Sequence, residues 1–86
     1  MATFDSPESL DRFVSEVQAA LEGRGFPIAA RRLAEVRSSA YTTGAEWLGE
    51  LGAAAKAIRH QRDLPVDLRD KLEAILVEVR RAWPTS

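Results

Sequence analysis

Apolar residues recur every three or four positions in four separate stretches of this 86-residue chain. That spacing places them on one face of an α-helix, which has 3.6 residues per turn. Glycine and proline fall between the stretches, where helices end and begin, and no alternating pattern typical of a β-strand is sustained. The sequence therefore predicts an all-α fold, a small antiparallel four-helix bundle with a short second helix, in one domain that covers residues 1–86.

The four apolar stretches predict the approximate bounds of the helices. These bounds are 7–22, 27–39, 44–60 and 65–82. Pro7 and Pro27 suit the first helical turn, and the left-handed conformation open to glycine predicts that Gly23 and Gly25 end the first helix. Because the second helix is too short to span the bundle, we expect one end to be three-helical and to hold a shallow cleft.

The central helix of the bundle is predicted in the stretch 42–59. Thr43 followed by Glu46 forms a capping-box pattern, in which each side chain can bond to the backbone amide of the other residue. Glycine inside a helix costs about 0.5–1 kcal/mol relative to alanine, so Gly49 and Gly52 indicate that another element packs closely there. Two interpretations remain open: contact with a helix of the same chain, or a groove or dimer interface.

The last helix is expected to begin after the turn that contains Asp63. This aspartate is a candidate N-cap, because its carboxylate can accept hydrogen bonds from the first free amides of a helix. On the solvent side, Asp67 with Lys71 and Arg69 with Glu73 have the i,i+4 spacing of ion pairs within one helix. These pairs would add modest local stability to the fourth helix.

Three aromatic residues can each be either buried against the core or exposed at the surface. Tyr41 lies in the predicted loop before the central helix, where it can cover the core or remain exposed as a contact residue. Trp47 belongs to the apolar face of the central helix, and Trp83 lies at the end of the chain's last helix. Tyrosine and tryptophan often dominate protein interfaces, so Tyr41 and Trp47 are candidate partner-binding residues.

Charge is distributed unevenly between the first two helices. Segment 5–22 has five acidic residues and one basic residue, a net charge of −4, whereas segment 24–37 has four basic residues and one acidic residue, a net charge of +3. One interpretation is attraction between neighbouring helices; the other is a bipolar surface that steers a partner protein. Arg31 and Arg32 could also contact nucleic acid, but Glu46 and Glu50 on the next helix would repel phosphates.

Residues that carry chemistry are scarce. The chain has no cysteine and one histidine, His60, which lies among charged residues, so we expect no metal site, no cofactor and no enzymatic activity. The net charge of −1 argues against binding that depends on phosphate neutralisation. No apolar run is long enough to cross a bilayer, and the N-terminus lacks the apolar region of a secretory signal. A cytoplasmic location is therefore expected.

The sequence favours a non-catalytic protein-interaction module of the adaptor, inhibitor or antitoxin type, which binds a protein partner or itself. Two alternatives are a nucleic-acid-binding regulator that uses the basic face of the second helix, and a small-ligand binder at the open end of the bundle. The residues expected to contact a partner lie on the second and third predicted helices and in the loop between them. They are Arg31, Arg32, Tyr41, Trp47, Gly49 and Gly52.

Overall fold

The computed structural model describes residues 7–39 and 44–82, and every regular element in these two ranges is an α-helix. The helices are α1 (Pro7–Gly23), α2 (Pro27–Ser38), α3 (Gly44–Arg59) and α4 (Val66–Ala82). The all-α prediction is confirmed, and the predicted bounds differ from the structure by one residue at most. None of these helices combines the length and the apolar character needed to cross a bilayer.

The four helices form an antiparallel bundle. Each helix packs against the next one along the chain, and α1 closes the ring by packing against α4. The antiparallel direction is visible in the ion pairs, since Arg24 after α1 meets Asp67 at the start of α4, and Arg37 near the end of α2 meets Asp11 near the start of α1. Helix α2 has 12 residues, against 16 or 17 in the others, as predicted.

The core consists of aliphatic side chains from all four helices and from the turn before α4. The largest members that are fully inaccessible to solvent are Val14, Val17, Leu21, Leu33, Leu51, Leu68, Leu72 and Ile75. No polar side chain is buried within the ranges 7–39 and 44–82. Because no buried polar group specifies the arrangement, burial of apolar surface and the packing of these aliphatic side chains hold the bundle together.

The turn between α1 and α2 is a Schellman motif. The amide of Phe26 donates to the carbonyl of Leu21 at 2.8 Å, and the amide of Gly25 donates to the carbonyl of Glu22 at 3.3 Å. Gly25 has a φ of +92°, in the left-handed region that favours glycine. Phe26 is half-buried and packs against the core, so the motif both ends α1 and directs the chain into α2.

Alanine substitution at Gly25 is expected to lower the free energy of unfolding by about 1–2 kcal/mol, because a Cβ is unfavourable in the left-handed region. Gly23 provides a matched control, since it is the last residue of α1 and an added Cβ would have open space at either position. Gly23→Ala is expected to raise the same free energy by up to about 1 kcal/mol. Urea denaturation followed by circular dichroism measures both changes, and equal effects would contradict the assignment.

Asp63 does not cap α4, contrary to the prediction. It lies three residues before Val66 and adopts a φ of +69°, a conformation in which aspartate is enriched among residues other than glycine. The first backbone bond of α4 runs instead from the amide of Arg69 to the carbonyl of Pro65. Asp63 thus belongs to the turn, where its backbone takes the left-handed conformation between α3 and α4.

Three large apolar residues lie on the surface rather than beside the core. Ile28, Val66 and Val77 are 79%, 70% and 55% exposed, respectively. On α2 the two alanines after Ile28, Ala29 and Ala30, are buried instead.

Candidate functional site

The outer surfaces of α3 and α4 form a groove between them, with a volume of about 290 Å³. We call it the α3–α4 groove. It is lined by residues from α3 that are mostly small and by aliphatic and basic residues from α4, namely Gly49, Gly52, Ala53, Lys56, Leu76, Val79 and Arg80. Because most of its α3 lining has little or no side chain, the backbone of α3 is accessible to a close neighbour there.

Gly52 has an internal packing role. A Cβ added at this residue would lie 3.2 Å from Cγ1 of Val79, which is tighter than ordinary van der Waals contact. Val79 is buried, so the absence of a side chain at Gly52 lets α4 approach α3 at this level. One of the two glycines is therefore explained by contact within the chain. Gly49 lines the groove and is half-buried, and partner binding at either glycine stays a prediction.

The charges of the α3–α4 groove have one sign. Lys56 and Arg80 are both exposed, and neither takes part in an ion pair among the residues that the structure describes. No carboxylate is among the groove's described lining residues. The floor is apolar, since Leu76 and Val79 are only 8% exposed. A groove with an apolar floor and two cations favours a small apolar side chain flanked by negative charge.

A second, open cleft lies between α1, α2 and the start of α3, and has a volume of about 620 Å³. Trp47 contributes to its lining and is half-buried against the core. The other lining residues are polar or charged: Glu8, Asp11, Arg12, Ser15 and Arg37. This cleft lies where α2 ends, which agrees with the expected opening. Tyr41 lies outside the described residues, and so does Trp83.

Two of the four arginines in segment 24–37 are bonded to carboxylates of other helices. Arg37 donates to Asp11 through Nε at 3.0 Å and Nη2 at 3.3 Å, and through Nη1 to Gln18 on the same helix as Asp11. The hydrogen bond to Asp11 raises the pKa of Arg37. Arg24 donates to Asp67 at 3.1 Å, which lowers the pKa of that carboxyl. Attraction between the first two helices is thus confirmed at Asp11.

Arg31 and Arg32, the two candidate partner-binding arginines, are exposed on the outer face of α2. Neither has an ion-pair partner within the described ranges. Arg32 lines a polar groove between α2 and α3 together with Glu35 and Glu50. These two carboxylates reduce the positive potential next to Arg32, as the sequence indicated for Glu50.

A double-mutant cycle can measure the bond between α1 and α2. We expect Asp11→Asn and Arg37→Gln to have a coupling energy of about 0.5–1 kcal/mol, because the pair is bidentate but remains partly exposed to solvent. Urea denaturation of the two single variants and the double variant gives this energy, which should decrease in high salt. Additive effects of the two substitutions would show that the bond contributes nothing to stability.

Two carboxylates of α4, Asp67 and Glu73, bind arginines of other segments rather than basic residues one turn along their own helix, whereas Glu78 pairs with Arg81 within α4. Asp67 pairs with Arg24, and Glu73 pairs with Arg59 at the end of α3. Both bonds connect different elements of the bundle, so they restrain its tertiary arrangement. The predicted pairs of Asp67 with Lys71 and of Arg69 with Glu73 are wrong for the structure, because long-range partners approach these carboxylates from neighbouring helices.

His60 follows the end of α3 and is exposed. Within residues 7–39 and 44–82, no cluster of histidine, aspartate and glutamate side chains could hold a metal ion. Neither Lys56 nor Arg80, which both line the α3–α4 groove, was identified from the sequence as a candidate binding residue. Helical periodicity places Lys56 on the same face of α3 as Gly49 and Gly52. Only the packing of α4 on α3 brings Arg80 to the same groove.

Comparisons of the chain with protein-family models, with curated proteins and with solved structures found no match.

Proposed function

We propose that this chain is a small, non-catalytic protein-interaction module, and that the α3–α4 groove is its docking surface. The observation that carries the proposal is the combination of a small-residue, apolar floor with Lys56 and Arg80, two exposed cations without carboxylate partners among the described residues. A docking helix would cover the floor and neutralise both charges. A cytoplasmic location, in keeping with a chain that has no cysteine, forms part of the proposal.

The physical basis of the proposal is that each feature of the groove favours a protein segment over a small ligand. Gly49 and Ala53 allow the backbone of a second helix to approach, so dispersion contacts extend along the groove. The two cations lie on different helices and therefore select a segment with carboxylates on both sides. The groove is small and largely open to solvent, whereas pockets for small molecules enclose most of the ligand.

The proposal is tested by affinity capture from a lysate of the source cells, with and without nuclease treatment. The bait is the tagged chain, and two variants accompany it. Ala53→Arg fills the groove, while Ala57→Arg places the same side chain one turn along α3, at an exposed residue that does not line the groove. A protein or untagged copy of the chain that wild type and Ala57→Arg retain after nuclease treatment, and that Ala53→Arg loses, supports the proposal.

Capture that is equal for Ala53→Arg and wild type would exclude the groove as the docking surface. Recovery that is lost after nuclease treatment would instead favour the nucleic-acid alternative, which relies on Arg31 and Arg32. The presence of Glu35 and Glu50 beside Arg32 weakens that alternative, because carboxylates repel phosphates. Both variants change exposed residues, so circular dichroism should show unchanged helix content.

The cleft beside Trp47 gives the small-ligand alternative a specific location. Its volume of about 620 Å³ falls within the range of ligand pockets. Two of its charged residues, Asp11 and Arg37, already satisfy each other. The other lining residues, Glu8, Arg12, Ser15 and the Trp47 ring, would then contact a ligand. A metabolite that raises the melting temperature of wild type, but not of Trp47→Ala, would establish this alternative.

A further inference from the structure

We propose that the α3–α4 groove binds the outer face of α1 from a second copy of this chain. The inference rests on the proposed function and names the partner of the same groove. The segment of α1 that we assign to this contact, called the α1 ridge, consists of Glu16, Ala19 and Glu22. All three residues are exposed, and none takes part in an ion pair among the described residues.

The α1 ridge has the chemistry that the groove lacks. Ala19 is a small residue between two carboxylates, each three positions away along the helix. Residues three apart on an α-helix lie about 60° to either side of the central one. The ridge therefore presents a methyl group at its crest and one negative charge on each flank. An apolar floor with one cation on each side is the complementary surface.

The charges also agree in spacing. Gly52 lies level with Val79 across the groove, as their close approach shows. Lys56 is four residues beyond Gly52, and Arg80 is one residue beyond Val79 on a helix that runs in the opposite direction, so the two cations are separated by about 7.5 Å along the groove. Glu16 and Glu22 are six residues apart, or about 9 Å along α1. Flexible side chains span the small difference.

The two cations and the two carboxylates must also lie along the same diagonal. The diagonal of the cations depends on which side of α3 each neighbouring helix lies. The near side of a right-handed helix rises from left to right when its chain runs upward. Gly52 and Ala54 lie immediately before and after Ala53. Gly52 contacts α4, whereas Ala54 lines the separate polar groove between α2 and α3. Seen from outside, α4 therefore lies to the left of α3, and α2 lies to its right.

In this view the cations occupy one diagonal of the groove. Lys56 on α3 is at the upper right, and Arg80 on α4 is at the lower left. An α1 helix that is laid over the groove with its chain running upward has Glu22 to the upper right of Ala19 and Glu16 to the lower left. The two diagonals coincide. Turning α1 end for end exchanges the carboxylates and keeps the diagonal, so both directions of docking retain the charge pairing.

The contact is heterologous, because one copy contributes its ridge and the other contributes its groove. Helices α1 and α3 do not contact each other within the bundle, so the ridge and the groove of one copy face different neighbours. Each copy can then bind two others, and the mean mass should grow with concentration rather than stop at a dimer. The attraction between exposed charges should weaken as salt rises.

Sedimentation velocity of the full chain, from micromolar to millimolar concentration, tests the inference. The groove-reversed variant carries Lys56→Glu and Arg80→Glu, and the ridge-reversed variant carries Glu16→Lys and Glu22→Lys. We expect wild type to associate and each variant alone to associate at least about tenfold more weakly. A mixture of the two variants should recover the association, because each acidic surface then meets a basic one.

Two controls separate the contact from general charge effects. Arg69→Glu with Lys71→Glu changes the net charge as much as the groove-reversed variant does, at exposed residues of α4 outside the groove, and should associate like wild type. Adding Ala19→Gln to both members of the mixture keeps their opposite net charges but enlarges the crest of the ridge. This mixture should remain monomeric, since glutamine does not fit against the floor as alanine does.

A wild-type chain that is monomeric at every concentration would overturn the inference, as would a mixture that associates no more than its separate members. The proposed function fails on a different result. If the wild-type chain stays monomeric but captures another protein through the groove, only the self-association is wrong. If it stays monomeric and Ala53→Arg captures the same proteins as wild type, both the docking surface and its partner are wrong.

Discussion

Replacing Leu51 with alanine is expected to remove a large part of the stability of this chain. Leu51 lies on α3 and is completely buried. Leucine-to-alanine substitutions in tightly packed cores lower the free energy of unfolding by about 2–5 kcal/mol, because transfer energy is lost and a cavity remains. At about 0.05–0.15 kcal/mol per residue, a domain of this size has only roughly 4–13 kcal/mol in total. Urea denaturation followed by circular dichroism measures the change.

The control for Leu51→Ala is Ile28→Ala, which removes the same number of carbon atoms from a side chain that is 79% exposed. This change should cost less than about 0.5 kcal/mol, as surface substitutions usually do. Similar losses at the two positions would contradict the assignment of Leu51 to the core and Ile28 to the surface. The comparison also tests the exposure of Ile28, which directly precedes the buried Ala29 and Ala30 of α2.

Gly52→Leu is expected to lower the free energy of unfolding by about 1–3 kcal/mol or more. The added Cβ would already lie 3.2 Å from Cγ1 of Val79, so a leucine side chain must push α4 away from α3. The gain in helix propensity, about 1 kcal/mol relative to glycine, offsets only part of this cost. Thermal and urea denaturation give the change, and a variant as stable as wild type would show that the helices do not meet at Gly52.

A second substitution identifies the cause of the Gly52→Leu effect. Val79→Ala removes the atom that the new side chain meets, so the double variant should be more stable than the sum of the single effects predicts. Gly23→Leu is the matched control at the end of α1, where an added Cβ has no neighbour within 4 Å. It should raise the free energy of unfolding by up to about 1 kcal/mol, because only the gain in helix propensity remains there. Strict additivity of Gly52→Leu and Val79→Ala would exclude a direct contact.

The local sequence pattern was sufficient to predict the helices and most of the core. The three-and-four spacing of Leu68, Leu72, Ile75, Leu76 and Val79 is that of one helical face, and the structure buries each of them. Helical phase is a property of neighbouring residues in one chain segment, so it can be deduced without knowledge of the fold. The same applies to Gly25, whose left-handed conformation follows from the residue's own freedom.

Pairings between segments could not be deduced in this way. The carboxylates of Asp67 and Glu73 had basic residues at suitable distances within their own helix, yet they bind Arg24 and Arg59. An i,i+4 pair contributes only about 0.2–0.5 kcal/mol. A competing arginine that the packing of helices holds nearby can therefore displace it. The partner of a charged side chain depends on which helices become neighbours.

The candidate site, too, could be predicted from the sequence only in part. The small face of α3 was visible in the order of Gly49, Gly52 and Ala53, because periodicity within one helix is enough to define it. This face has two roles, and both arise only when α4 packs against α3. It leaves space for Val79, and it forms part of the α3–α4 groove that Arg80 also lines. Apolar burial drives this packing but is not directional, so the register between two helices is determined by the fit of their side chains in three dimensions.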